Sequence, residues 1–232
     1  MMELSNVQSI YCYENTNILI NKLDIINKDQ LYNIESGLVG YKLGQLILGK
    51  YPFSVSLDEK HYLNLHRYLF EDIYPFAGKI RNEAINKSND PFCSGKTAFC
   101  YPSFIGEQLH ETLRLMKNEA SKIDNREQLI DYLIKFYCDL NMIHPFREGN
   151  GRTLREFLRE YVLALNKILK FGQFVIDYSK LSSNDVENLL KGTILESRLS
   201  SSQEGFCLLR EVFVKIVVQC EKEKLKNRCY IR

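Results

Sequence analysis

The chain has 232 residues, of which 45% are hydrophobic and 26% are charged, a composition that can bury the core of one compact domain. Its 31 Lys and Arg residues nearly balance its 29 Asp and Glu residues, so the formal net charge of +2 argues against a dedicated nucleic-acid or membrane-surface protein. Seven cysteines, an odd number without Cys-x-x-Cys spacing, argue against a disulfide framework and against zinc.

The ends and linkers of the chain predict one cytoplasmic domain. The first twenty residues lack the basic start and apolar run of a signal peptide, and no stretch reaches the ~20 apolar residues that span a bilayer. We therefore expect a mature chain that starts here, although delivery into a host cell by a secretion system stays open. With no internal repeat and few linkers, the domain is predicted at 37–220, between an N-terminal segment, 1–36, and a charged tail, 221–232.

In chain order, the periodicity of apolar residues predicts a series of amphipathic helices. They cover residues 37–48, 61–73, 104–117, 124–142, 152–165 and 206–220. A capping box at Asp124–Glu127 opens the fourth of them. Between residues 74 and 100 the helical period fails, and loose alternation over 78–85 followed by a turn-rich 86–91 predicts a short hairpin at about 78–92. The predicted fold class is all-α with one small β element.

The most informative segment is residues 144–155, His-Pro-Phe-Arg-Glu-Gly-Asn-Gly-Arg-Thr-Leu-Arg, which joins two predicted helices. A residue before proline is disfavoured in a helix, so the incoming helix should end at His144 and present its side chain to a cleft. The glycines of Gly149-Asn150-Gly151 permit positive φ, which lets consecutive amide N–H groups turn toward a bound anion. The sequence therefore predicts a phosphate nest.

The second half of the segment adds charge to this nest. The N-terminus of the next helix carries a partial positive charge, and Arg152 and Arg155 can clamp phosphate oxygens. A carboxylate beside phosphates is explained by a cation between them, which makes Glu148 the predicted Mg²⁺ ligand. His144 would be the general base that removes a proton from an attacking alcohol.

The string matches the pattern His-x-Phe-x-[Asp/Glu]-Gly-Asn-Gly-Arg-x-x-Arg, and the chain resembles the Fic (filamentation induced by cAMP) family. Tyr11–Lys22, Ile73–Arg81 and Leu140–Ile143 are similar to further family segments. The resemblance implies a Fic-type helical bundle with a small β-hairpin flap that pairs with the target protein's backbone. It also implies a protein adenylyltransferase, which moves AMP from ATP to a Tyr, Ser or Thr hydroxyl of the target and releases pyrophosphate.

The resemblance also assigns residues. His144 is the base, Phe146 anchors the loop in the core, and Glu148 holds Mg²⁺. The implied ATP-binding residues are Lys87 at the flap tip, Asn141 one helical turn before the base, Gly149, Asn150, Gly151, Arg152 and Arg155. The alternatives left open are removal of AMP from a target, transfer of another phosphate-containing group, and a catalytically silent binding module.

Regulation has two interpretations. Fic enzymes are commonly inhibited by a helix with the motif [Ser/Thr]-x-x-x-Glu-[Gly/Asn], whose glutamate pairs with the second arginine of the motif, here Arg155. Ser200 and Glu204 fit that string. The alternative makes Ser202 an ordinary helix cap, and a small separate antitoxin protein that carries the inhibitory helix then becomes the natural partner.

Overall fold

Helices form most of the structure, a computed structural model that describes residues 8–87, 97–198 and 203–220. The α-helices in this part of the chain are α1 (Lys28–Ile47), α2 (Glu59–Phe70), α3 (Ile105–Glu119), α4 (Arg126–Ile143), α5 (Asn150–Leu165), α6 (Ser183–Arg198) and α7 (Gln203–Ile216). The predicted all-α class is confirmed. No helix within these ranges is long and apolar enough to cross a membrane.

Two small antiparallel sheets accompany the helices in the described ranges. The first pairs β1 (Asn86–Lys87) with β2 (Thr97–Ala98), and the second pairs β3 (Phe174–Ile176) with β4 (Val217–Gln219). The first sheet is the predicted hairpin, but its predicted extent of 78–92 is wrong. Its second strand lies beyond that range, and residues 86–87, assigned to the tip, are a strand. Residues 88–96, which include the rest of the predicted tip, lie outside the described residues.

Helices α4 and α5 occupy the centre of the bundle. Helix α4 packs against α3, α5, α6 and α7, and α5 packs against α2, α4 and β3. Their facing residues, such as Leu133, Phe136, Phe157 and Leu158, are fully buried. Burial on this scale fixes both helices, because each buried aliphatic or aromatic side chain contributes roughly 1.5–3 kcal/mol. The segment that connects α4 to α5 is thus held rigidly at both ends.

The predicted start of the first helix is wrong. Helix α1 begins at Lys28, after Asn27 caps it by accepting a hydrogen bond from the backbone N–H of Gln30. The boundary proposed between residues 36 and 37 therefore falls inside a helix. The buried face of α1 consists of Leu31, Glu35, Val39, Lys42 and Leu46. Because Glu35 and Lys42 are charged, the apolar period of this helix is hard to read from the sequence.

Other predicted boundaries shift by one to a few residues. The capping residue of α4 is Asn125, which accepts from the Gln128 N–H, rather than Asp124. Helix α5 begins at Asn150 instead of Arg152. Helix α7 ends at Ile216, since the following residues leave the helix to form β4. Sequence reasoning did not predict α6, β3 or β4.

Candidate active site

The first part of the site is the C-terminus of α4. Helix α4 ends at Ile143, and His144 follows in the left-handed conformation, with φ 47° and ψ 59°. The prediction that the helix ends at the histidine is therefore confirmed, although the backbone there is left-handed rather than extended. L-residues seldom adopt this region, so the surroundings must hold the histidine in place.

The imidazole of His144 has a defined tautomer. Its Nδ1 lies 3.0 Å from the backbone oxygen of Asn141, and the ring stacks on Phe99 with a centroid distance of 3.8 Å. Because a carbonyl oxygen can only accept, Nδ1 carries the proton and Nε2 is the basic nitrogen of the neutral ring. Asn141 thus orients the base through its backbone, and its side chain lines a small cavity with Thr97, next to the hairpin.

Arg81 holds the histidine backbone, a role that the sequence did not reveal. Its side chain is 1% exposed and donates to four backbone oxygens: His144 at 2.8 Å, Glu83 at 2.6 Å, Cys100 at 2.5 Å and Ile143 at 3.5 Å. Its own N–H donates to the Pro145 oxygen at 2.9 Å. Burial lowers the pKa of this guanidinium. Arg81 therefore ties the end of α4 to both arms of the hairpin region.

Phe146 and Asn150 fasten the loop to the core. Phe146 is fully buried and its ring stacks on His66 at 3.6 Å, which agrees with the expected anchoring role. The Asn150 side chain accepts from the Phe146 N–H at 2.9 Å and donates to the Phe146 oxygen at 2.7 Å. Because that amide is held by the loop backbone, we expect the contact between Asn150 and ATP to come from the Asn150 backbone N–H at the start of α5.

The two glycines of the motif differ. Gly149 has φ 82°, and a Cβ there would lie 2.4 Å from the ring of Phe70. Its N–H donates to Oε1 of Glu148 at 2.9 Å. Gly151 lies inside α5 and has no positive φ. Of the two glycines, only Gly149 therefore adopts the positive φ that the sequence led us to expect.

Arg152 has two carboxylate neighbours. Its guanidinium lies 2.5 Å from Oε1 of Glu35 and 3.4 Å from Oε1 of Glu148, over the ring of Phe70. The buried Glu35 also accepts a hydrogen bond from the Tyr74 hydroxyl. Burial, and then this hydrogen bond, raise the pKa of Tyr74. Sequence reasoning missed Glu35 and Tyr74, since a charged residue on a helix is ordinarily read as solvated.

Arg155 lies beside two adjoining cavities. The Tyr178 hydroxyl donates to the backbone oxygen of Arg155 at 3.0 Å. No carboxylate in the described part of the chain forms an ion pair with Arg155. Arg152 and Arg155 line both cavities, one of about 530 Å³ that includes Glu35 and Glu148, and one of about 430 Å³. The loop, the arginines and the N-terminus of α5 thus meet in one cationic cleft.

The sequence pattern of the Fic/DOC family matches residues 56–162. This stretch of the chain is a Fic/DOC family domain. The probable protein adenylyltransferase y4lH of Sinorhizobium fredii is 28% identical over 183 residues, which are 78% of this chain and 85% of that protein. The protein adenylyltransferase VbhT of Bartonella schoenbuchensis is 33% identical over 148 residues, 64% of this chain and 29% of VbhT.

Solved structures confirm the Fic fold. The Bartonella tribocorum effector BepC, crystallised with AMPPNP, has a TM-score of 0.72 at 18% identity and covers 91% of this chain and 97% of its own. The N-terminal Fic domain of a Bartonella quintana effector with bound ADP has a TM-score of 0.73 at 20% identity. The match covers 93% of this chain and 97% of that domain's chain. These likenesses bear out the helical bundle that the motif led us to expect.

The remaining predicted residues of this Fic protein are placed as follows. Glu204 lies on α7, where its side chain is 64% exposed and pairs with Lys191 at 3.1 Å, so the expected pairing with Arg155 does not occur. Ser200 lies outside the described residues. Lys87 lies in β1, opposite Thr97, and its predicted place at the tip is wrong.

Glu148 is the remaining metal candidate in this Fic chain. Within the described ranges, no three His, Cys, Asp or Glu side chains gather as a metal site. Glu148 offers a half-exposed carboxylate at the cationic cleft. Mg²⁺ in nucleotide sites takes one or two carboxylates and completes its shell with phosphates and water. The donor set therefore fits a Mg²⁺ that arrives with a nucleotide, and it does not fit an ion held by protein alone.

Proposed function

We propose that this protein is a protein adenylyltransferase, which transfers AMP from ATP to a Tyr, Ser or Thr hydroxyl of a target protein. The observation that carries the proposal is the loop between α4 and α5. It presents an oriented base, His144, at one end and the positive N-terminus of α5 with Arg152 and Arg155 at the other. The names of y4lH and VbhT, both described as adenylyltransferases, support the same reaction.

In the proposed reaction each group has a step. Nε2 of His144 takes the proton of the target hydroxyl while that oxygen attacks the α-phosphorus of ATP. A bond forms between the hydroxyl oxygen and phosphorus, the bond to the β-phosphate breaks, and pyrophosphate leaves with the electron pair. The Gly149 N–H and the N-terminus of α5 stabilise the charge on the α-phosphate oxygens. Arg152 and Arg155 bind the outer phosphates.

Glu148 would hold Mg²⁺ together with the phosphates, and the ion would supply neutralising charge. In the structure Oε1 of Glu148 accepts from the Gly149 N–H and lies near Arg152. These are anion-binding donors, so the carboxylate occupies a position that phosphate oxygens would share. Glu148 would then turn toward the metal when nucleotide binds. The Asn141 side chain, which lines the cavity beside the hairpin, would add a nucleotide contact, and Lys87 in β1 stays a proposed ATP-binding residue.

The proposed target docks on the β1–β2 hairpin. A two-stranded sheet has open edges, and a target segment can add as a further strand through backbone hydrogen bonds. The hairpin is joined to the site through Arg81 and through the stacking of Phe99 on His144. A strand bound there would therefore present its hydroxyl next to the base. We expect the reaction in a cytoplasm, either the producing cell's or that of a host.

The proposed inhibitor is a separate antitoxin helix. Arg155 pairs with no described carboxylate, and beside it lies the second cavity, whose apolar wall comes from α1, α5 and β3. That wall is formed by Leu43, Ile47, Leu163, Val175 and Ile176. An amphipathic helix could bury its apolar face there while its glutamate pairs with Arg155.

Glu204→Gly is expected to leave the rate of AMP transfer within about twofold of wild type, because Glu204 is solvated and pairs with Lys191. Glycine costs about 1 kcal/mol in a helix, so Glu211→Gly, also exposed on α7, is the matched control. The measurement is the initial rate of labelling from ATP. A large rise in the labelling rate of Glu204→Gly, without a rise for Glu211→Gly, would show that Glu204 inhibits the enzyme internally. It would contradict the proposal of a separate antitoxin.

The proposed reaction is tested with cell lysate and ATP labelled at the α-phosphate. We expect labelled protein bands that survive denaturation, and tandem mass spectrometry that locates AMP on Tyr, Ser or Thr. Both wild type and Glu204→Gly are assayed, so that internal inhibition cannot hide the activity. Absence of label on every protein, including the enzyme itself, would contradict the proposal.

A further inference from the structure

A buried histidine outside the motif contacts the anion-binding loop. His66, on α2, is 0% exposed and its ring lies flat on Phe146 at 3.6 Å. Both ring nitrogens have protein partners. Nδ1 lies 2.8 Å from the backbone nitrogen of Gly78, and Nε2 lies 2.9 Å from the backbone oxygen of Glu148.

These partners determine the tautomer of His66. The Gly78 N–H can only donate, so Nδ1 is unprotonated, and the Glu148 oxygen can only accept, so Nε2 carries the proton. The two contacts together require the neutral ring, with one donor aimed at the loop.

The contact fixes the direction of one peptide group. In a planar trans peptide, the C=O and N–H bonds point in opposite directions. The Glu148 oxygen points into the core at His66, so the Gly149 N–H points the other way, into the cleft. There it donates to Oε1 of Glu148 at 2.9 Å, and Arg152 lies 3.4 Å from the same oxygen. The peptide therefore presents its donor to an anion.

The peptide has an alternative orientation that the site cannot use. Gly149 has no Cβ and a φ of 82°, a position where glycine backbone rotates at little steric cost. A flip would place the Glu148 oxygen in the cleft, so that an acceptor would face the phosphate. We propose that His66 is a positioning residue that locks the Glu148–Gly149 peptide with its N–H toward the α-phosphate. This inference rests on the proposed function and concerns the same site.

Two amide variants separate the two contacts of His66. In His66→Gln the longer side chain can place its NH₂ group near Nε2 and donate to the Glu148 oxygen. In His66→Asn the shorter amide can place its oxygen near Nδ1 and accept from Gly78, but it cannot reach Glu148. Both variants lose the stacked ring, so their melting temperatures should fall by similar amounts. Only His66→Gln, which can donate to the Glu148 oxygen, should hold the Glu148–Gly149 peptide in its observed orientation.

The expected result is a difference in kcat between the two variants. Loss of one preorganised donor to a developing anion lowers kcat by about 10²–10³-fold, so His66→Asn should lose about 100-fold with little change in KM for ATP. His66→Gln should stay within about tenfold of wild type. Equal kcat for the two variants at equal folded fraction would overturn the proposal.

A second measurement does not depend on transfer or on the variants folding. Nitrogen NMR of wild-type protein should give the Nε2-protonated form of His66, and ATP should shift the Gly149 amide proton. Where they fold, His66→Gln should keep that shift and His66→Asn should lose it. An Nδ1-protonated ring, or a Gly149 amide that ATP leaves unchanged, would overturn the inference. If wild type binds ATP in this way but labels no protein, the proposed function fails and the role of His66 stands.

Discussion

His144→Ala is expected to lower the rate of protein labelling from ATP by about 10²–10⁴-fold, the contribution typical of a general base. The Nε2 atom of His144 is the basic nitrogen that the carbonyl of Asn141 orients toward the reaction. KM for ATP should change little, because the phosphates contact other groups. The measurement is the initial rate of labelling at saturating ATP.

Two variants control for structural damage in that experiment. His144→Asn tolerates the left-handed backbone of this position better than alanine and equally lacks the base, so it should be as inactive. His110→Ala removes a histidine whose side chain is 65% exposed and whose partner is Glu59, and it should label at the wild-type rate. Labelling by His144→Asn within tenfold of wild type would exclude His144 as the base.

Gly149→Ala is expected to remove both stability and activity. Its φ of 82° costs an L-residue roughly 1–2 kcal/mol, and its Cβ would lie 2.4 Å from the fully buried ring of Phe70. Overpacking of a rigid core adds about 1–3 kcal/mol. We therefore expect a melting temperature lower by several degrees, and labelling reduced by at least tenfold in the fraction that stays folded. Thermal unfolding and the labelling assay together measure both effects.

Gly106→Ala is the matched control for that substitution. Gly106 lies in α3, and a Cβ there would meet no atom within 4 Å. Alanine is favoured over glycine in a helix by roughly 0.5–1 kcal/mol, so this variant should be slightly more stable than wild type. A Gly149→Ala protein with the melting temperature and activity of wild type would show that the loop is not held as the structure has it.

The parts of the site that depend on local sequence were predictable. The end of α4 at His144 follows from Pro145, and the turn at Gly149 follows from its missing side chain, whereas the anchoring role of Phe146 came from the family resemblance. Each of these features is decided within a few residues, so a pattern of residues can encode it. The same applies to the amphipathic helices, whose buried faces repeat every turn.

The parts that depend on buried polar residues were not predictable. Arg81, His66 and Glu35 are buried by contacts with distant backbone and side chains, whereas their residue types are usually solvated. Glu35 also obscures the period of α1, which moved the expected start of that helix. Residues 217–219 continue a helical pattern locally, but pairing with β3 makes them a strand.

The hairpin illustrates the same limit. Alternation over residues 78–85 suggested a strand, yet Arg81 in its middle turns inward to bind the backbone around His144. The strands form later, where Lys87 pairs with Thr97. Only the three-dimensional structure reveals that the segment before the hairpin belongs to the catalytic loop's support.

The α-phosphate of ATP, with its AMP, is expected to be the group that reaches the target protein. Purified protein and its target are incubated in parallel with ATP labelled at the α-phosphate and ATP labelled at the γ-phosphate. We expect that the α-label alone becomes covalently attached to a protein hydroxyl, that pyrophosphate forms in equal amount, and that His144→Asn abolishes both. Attachment of the γ-label, or release of pyrophosphate without labelled protein, would contradict it.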